Sequence, residues 1–200
     1  VDKRQIWVSL ILMNCIRDRV MSKSTNIVLT GVLVALISIS GMIRIPVPFY
    51  VPMTLQMLTV FLAPMLAGVR VSFAAIFLYI VLGLIGLPVF STGGGFGYVF
   101  MPSFGYLIGF LVSTIPNGLI SRSSTGFLRN FIGGALALIT IHSIGSVGFW
   151  LNMNYVQGKQ VSLFASVMVA AAPFLIPDAL KLAVAAFIAG RLKKSLGLTV

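Results

Sequence analysis

Glutamate is absent from this chain, and its only acids are Asp2, Asp18 and Asp178. Between Arg70 and Arg122 there is no charged residue of either sign. Charged residues make up 8% of the chain and apolar residues 58%, a balance that excludes a water-soluble globular domain. One cysteine, Cys15, permits neither an intramolecular disulfide nor a thiolate metal cluster. The single histidine, His142, builds no metal site alone, and inside its apolar run it reads as a hydrogen-bonded structural residue. No Gly-Lys-Ser or Gly-Lys-Thr is present, so the chain carries no phosphate loop of its own. Paired carboxylates, a metal-binding histidine set and a nucleophile beside a base are all missing, which argues against an enzyme. The net charge of +11 raises nucleic acid as a partner, but the long uncharged middle offers no dense basic face to neutralise phosphates.

What is present is a series of apolar segments of membrane-spanning length, which takes about twenty residues. Residues 1–20 are read as a leader or upstream extension that lies outside the fold, because Met21-Ser22-Lys23-Ser24 has the form of a protein start. The pattern then predicts an all-α membrane protein of six helices in a single domain, 21–200. Helix one covers Asn26 to Ile43. A proline-rich loop, Ile45 to Pro52, follows, since proline removes backbone donors and enforces extended geometry. Helix two is expected from Met53 to Gly68 and helix three from Val71 to Gly86. Leu87 to Tyr98 is a glycine-rich loop that no helix would choose. Helix four follows from Ser103 to Ile120, helix five from Leu128 to Leu151, and a last segment from Val161 to Ala189 is kinked or broken at Pro173 and Pro177.

With a cytoplasmic N-terminus, Lys3, Arg4, Arg17, Arg19, Lys23, Arg70, Arg122, Arg129, Arg191, Lys193 and Lys194 fall on the cytoplasmic side, leaving Arg44 and Lys159 outside. That asymmetry is the pattern cytoplasmic loops show. It places both termini in the cytoplasm and gathers the long loops on the outer face, from which a solute would arrive.

Two ionisable residues stand at membrane depth. Asp178 and Lys181 are three apart and share one face of the last helix. Intramembrane charges are expensive and mark functional sites, although a self-neutralising structural pair is the plainer reading. Pro177 beside them disturbs the backbone ladder and leaves a carbonyl for a ligand. The run Gly93 to Gly97 allows close backbone approach and serves equally as a lid or as a plain loop. On helix one, Gly31, Ala35 and Ser38 form a small-residue stripe for close helix packing, within the chain or with another subunit.

Four ordered motifs together resemble the BioY family, the biotin-specific subunits (S components) of energy-coupling-factor transporters. They are Pro46-Val47-Pro48 with Pro52-Met53-Thr54-Leu55-Gln56; Gly83-Leu84-Ile85-Gly86-Leu87-Pro88-Val89-Phe90 with Gly93-Gly94-Gly95-Phe96-Gly97-Tyr98; Pro102-Ser103-Phe104-Gly105-Tyr106; and Pro177-Asp178-Ala179-Leu180-Lys181. The resemblance covers about Met21 to Lys194. It implies a six-helix bundle in the cell membrane that captures biotin from outside, with Asp178, Lys181, Gly94, Gly95, Tyr98, Thr54, Gln56 and Tyr106 at the ligand. It further implies a transmembrane coupling subunit and a pair of ATPases as partners. Gly31 and Ala35 fall where the coupling subunit would be met. No cofactor or metal is expected, and ATP is used only by partner subunits. The family's usual Pro-Thr-Gly-Gly-Tyr is here Pro102-Ser103-Phe104-Gly105-Tyr106, which suggests that Phe104 narrows the pocket. Its frequent Pro-Gly-Asp is here Ile176-Pro177-Asp178. A stand-alone facilitator for biotin or a related small vitamin is the alternative.

Overall fold

The computed structural model describes residues 23–45 and 51–195. The proposed leader and the Pro46-Val47-Pro48 stretch therefore lie outside the described residues. Helix α1 is Lys23–Met42, the short strands β1 Arg44–Ile45 and β2 Met53–Thr54 follow, and α2 is Gln56–Leu84. After a short 3-10 helix at Phe96–Phe100 come α3 Phe104–Ser121 and α4 Phe127–Leu151, the latter running into a π-helical turn at Asn152–Val156. Helices α5 Leu163–Ala170 and α6 Ala172–Ser195 complete the described chain. Counted by length and composition, five of these helices are able to cross a membrane: α1, α2, α3, α4 with its π-helical extension, and α6.

The second and third helices expected from sequence are the two arms of α2, parted at Gly68. That residue has φ 77° and ψ −178°, a region open in practice only to glycine. The interruption is sharp. Gln56 and Tyr79 line the same cavity, and the Tyr79 hydroxyl lies beside the Gln56 side chain. A straight helix would hold positions 23 residues apart roughly 34 Å from each other, so α2 doubles back at Gly68. A Cβ at Gly68 would come within 2.5 Å of the Arg122 side chain, so the reversal is packed against the end of α3. The expected last segment is also divided, with α5 and α6 meeting at Ala171. Ser162 starts α5 as its N-cap, accepting a hydrogen bond from the Ala165 amide at 3.2 Å.

Helices α3 and α4 touch through backbone. A Cβ on Gly148 would lie 2.6 Å from Gly105 Cα, and one on Gly109 would lie 3.0 Å from the Ile141 carbonyl oxygen. Lipid gives no hydrophobic drive for one helix to leave it for another, and close backbone approach supplies the dispersion contacts instead. Large apolar side chains such as Ile27, Val28, Phe77, Ile139, Ile176 and Phe187 are exposed on the helix surfaces. In water such a surface would aggregate; hydrocarbon is the solvent it suits.

The two ends of the bundle differ. At one, Lys193 of α6 is buried and donates to the Ser121 carbonyl at 2.6 Å, the Ser124 carbonyl at 2.8 Å and Asn130 Oδ1 at 2.9 Å. These acceptors include the open carbonyls at the end of α3, where a cation also suits the helix dipole. The network continues through Ser121 Oγ to Asn117 Oδ1 and from Asn117 Nδ2 to the Phe61 carbonyl. At the opposite end lie the β1–β2 hairpin, in which Arg44 pairs with Thr54, and the glycine-rich loop. The loop folds back on α2: the Gly95 amide donates to the Gly83 carbonyl at 2.7 Å, and Phe90 and Gly93 bridge each other.

Candidate functional site

The glycine-rich loop is held by contact rather than left free. A Cβ on Gly94 would lie 2.1 Å from the Leu87 carbonyl oxygen, a distance only glycine can satisfy. Phe90 is buried against Gly83, meets Tyr79 edge-on at 5.4 Å and packs on Tyr98 at 4.4 Å. Tyr98 is thereby turned inward. Its hydroxyl is 3.3 Å from Ser91 Oγ and receives a hydrogen bond from Ser103 Oγ at 3.2 Å. On the exterior, Arg44 Nη1 donates to the Ser91 carbonyl at 3.0 Å, joining the hairpin to the loop.

Beneath these elements is a cavity of about 50 Å³ that is partly continuous with the outside. The hairpin segment contributes Val51, Pro52, Met53 and Thr54, the start of α2 Gln56 and Met57, and the loop Ser91, Tyr98 and Ser103. Further along, α2 adds Tyr79, α3 adds Tyr106, Leu107 and Phe110, and α4 adds His142, while α6 brings Phe174, Asp178 and Lys181. The wall is mainly apolar, with polar groups at a few fixed points.

The charged cluster is on α6. Asp178 is 3% exposed, with Lys181 Nζ 2.9 Å from its Oδ1 and His142 Nε2 3.2 Å from its Oδ2. An isolated buried carboxylate is prohibitively costly, and two donors with one balancing charge make it tenable. Pro177, inside α6, has no amide proton to give its own turn, which weakens the backbone ladder beside Asp178. Tyr106 meets His142 edge-on at 5.9 Å and donates its hydroxyl to the Ala170 carbonyl. Gln56 is buried, and although the Tyr79 hydroxyl is near, its Nε2 makes no hydrogen bond of normal geometry. A buried amide donor facing a cavity in this way is poised for a ligand acceptor.

Of the site residues expected from sequence, Asp178, Lys181, Thr54, Gln56, Tyr98 and Tyr106 come together around this cavity. Gly94 and Gly95 are not among the residues that line it; they shape the loop that carries Ser91 and Tyr98. Phe104 lies instead in an apolar groove lined also by Val99, Ile108 and Val147, so it does not narrow the cavity. Gly31 and Ala35 are on α1, away from the site, and a Cβ on Gly31 would meet nothing within 4 Å. His142, Tyr79, Ser91 and Ser103 also line the cavity and are not among the site residues expected from sequence. His142 is hydrogen-bonded, as its apolar setting suggested, but the partner is Asp178, 36 residues away. No local pattern announces that pairing.

A model of the BioY family matches residues 14–198. Among curated proteins, the probable biotin transporter BioY of Pyrococcus horikoshii is 33% identical, the match covering 86% of this chain and 98% of that protein. The biotin transporter BioY of Thermotoga maritima is 36% identical over 84% of this chain and 96% of its own length. That of Rhodobacter capsulatus is 36% identical over 82% and 90%. A solved structure, the S-component for biotin from an ECF-type ABC transporter, superposes with a TM-score of 0.77 over 87% of this chain and 95% of its own, at 24% identity, a likeness of fold.

Proposed function

Since this chain belongs to the BioY family, we propose that it is the biotin-binding S component of a vitamin uptake transporter, a substrate-capture subunit and not an enzyme. The observation that carries the reading is the cavity itself. It is mainly apolar and carries a neutralised Asp178–Lys181 pair and the Gln56 amide at its polar points. Biotin combines a ureido ring, an apolar thioether ring and a carboxylate. Asp178 supplies acceptors for N–H groups, Lys181 and Gln56 supply donors for oxygens, and Phe110, Phe174 and Met57 supply apolar wall. Thr54, Tyr98 and Tyr106 complete the ligand set, and Gly94 and Gly95 act through the loop that closes over it.

The protein is a multi-pass protein of the cell membrane with six spans. The two arms of α2 on either side of Gly68 count as two of these spans, and α5 with α6 forms the last. The clustering of Arg122, Arg129 and Lys193 at the end opposite the cavity supports a cytoplasmic placing of that end and of both termini. The cavity then opens outward. Having no phosphate loop, the chain depends for active uptake on a transmembrane coupling subunit and a pair of ATPases, met through Gly31 and Ala35.

Equilibrium binding of labelled biotin to the detergent-purified chain, followed by uptake into vesicles with and without the ATPase module, tests this. Saturable one-site binding and uptake that needs ATP are expected. A folded protein that does not bind biotin would remove the ligand assignment, and full-rate uptake without ATPases would make the protein a facilitator.

A further inference from the structure

Resting on that ligand reading and deepening it, we propose that His142 is a positioning residue of the recognition site, whose Nε2–H holds Asp178 Oδ2 and so sets the plane of the carboxylate presented to the ligand. Lys181 cannot do this alone. It lies one turn along the same helix, so its hydrogen bond to Oδ1 moves with Asp178 and does not register it against the rest of the bundle. His142 comes from α4, and its contact is the cross-helix bond to Asp178 among the described residues.

Chemistry dictates the proton's place. An ionised carboxylate only accepts, so Nε2 must donate. The ring's Nδ1 is buried with no partner, and a proton there would add a donor with nothing to receive it. The ring is itself fixed, since Tyr106 stands edge-on to it and anchors through its hydroxyl to Ala170. Ala170, Tyr106, His142 and Asp178 thus form one chain of contacts across α5, α3, α4 and α6. Carboxylate torsions are broad and soft. With one protein donor on each oxygen, Asp178 keeps lone pairs for a ligand in one orientation; without His142 the carboxylate can turn about the Lys181 bond and present the wrong edge.

The chain has a single histidine, so its ring signal is unambiguous. Nitrogen-15 NMR of histidine-labelled full-length protein in detergent is expected to show a ring protonated at Nε2 whose signal moves in Asp178→Asn. A bare Nε2, or a signal indifferent to Asp178→Asn, would overturn the proposal. Biotin affinities of His142→Phe, His142→Gln, Asp178→Asn and the His142→Phe/Asp178→Asn double variant complete the test, with thermal unfolding run on each. His142→Phe is expected to weaken biotin by about tenfold, and His142→Gln, which keeps a donor, to recover most of that. In the Asp178→Asn background His142→Phe should have no further effect; an undiminished effect there means that His142 does not act through Asp178, and the proposal fails. Should the parent not bind biotin, the ligand reading falls by itself, and the NMR comparison still decides the role of His142.

Discussion

Replacing Asp178 with asparagine keeps the shape of the side chain and removes its charge, and the structure separates two consequences. The first is on the ligand. A hydrogen bond to a charged group contributes about 1.5–3 kcal/mol, so its loss should raise the biotin Kd roughly 10- to 150-fold. The second is on the fold. Asp178 is 3% exposed and the Lys181 side chain 12%, so the variant leaves a largely buried ammonium without its counter-charge. Breaking a buried pair in this way costs about 3–5 kcal/mol, which can mimic a binding defect by unfolding the protein. Removing both charges resolves the two effects. In Asp178→Leu/Lys181→Met the stranded charge is gone and stability should return to near that of the parent, since apolar replacement of a buried pair is often neutral or better. Binding should stay lost. The assay is equilibrium binding of labelled biotin in detergent beside thermal unfolding of the same samples. If folded Asp178→Asn binds with the parent's Kd, or if the double variant regains binding together with stability, the pair is structural and the assignment of the site to it is refuted.

Three further outcomes follow from the geometry. Gly94→Ala places a methyl 2.1 Å from the Leu87 carbonyl oxygen, a backbone atom that cannot swing aside; a loss of about 1–3 kcal/mol in stability and faster biotin dissociation are expected, and an unchanged off-rate would show that the loop does not cover the ligand. Gly31→Leu adds bulk where nothing stands within 4 Å, so biotin Kd and unfolding temperature should hold while ATP-driven uptake falls; a drop in stability with uptake intact would assign Gly31 to internal packing. Lys193→Met strips the donor from three acceptors at the far end of the bundle; thermal unfolding should register about 1–3 kcal/mol for a buried acceptor left bare, with the biotin Kd of the folded protein unchanged, and a shifted Kd would tie that end to the site.

Helix limits were legible wherever one apolar run lay between charges or helix breakers. Helix α1 was expected at Asn26 to Ile43 and is Lys23–Met42; α3 was expected at Ser103 to Ile120 and is Phe104–Ser121; α4 ends at Leu151 as read. The reversal between the second and third helices was legible too, at Gly68 to Arg70. What was not legible is its conformation: glycine permits many, and the packing of Arg122 selects φ 77°. The pattern has the last segment kinked or broken at Pro173 and Pro177; the division falls at Ala171, two residues before Pro173 in the first turn of α6, where the Tyr106 hydroxyl meets the adjoining Ala170 carbonyl, and Pro177 stays inside α6.

Composition by itself determined the solvent: with so little charge and so much apolar surface, only a bilayer suits the chain, and Asp178 and Lys181 stood out in their apolar segment because such groups are tolerated only when they are paired or used. Their spacing of three was enough to put them on one helical face. The tertiary structure alone decided what surrounds them. Whether His142 faces lipid or Asp178, whether Gln56 and Tyr79 meet, and whether Gly94 touches a ligand or the Leu87 carbonyl depend on how helices far apart in sequence are rotated and stacked. Apolar segments with nearly uniform faces carry little periodic signal of that rotation; it is set by close backbone contact, as between Gly105 and Gly148, and by the few buried polar groups that must find each other.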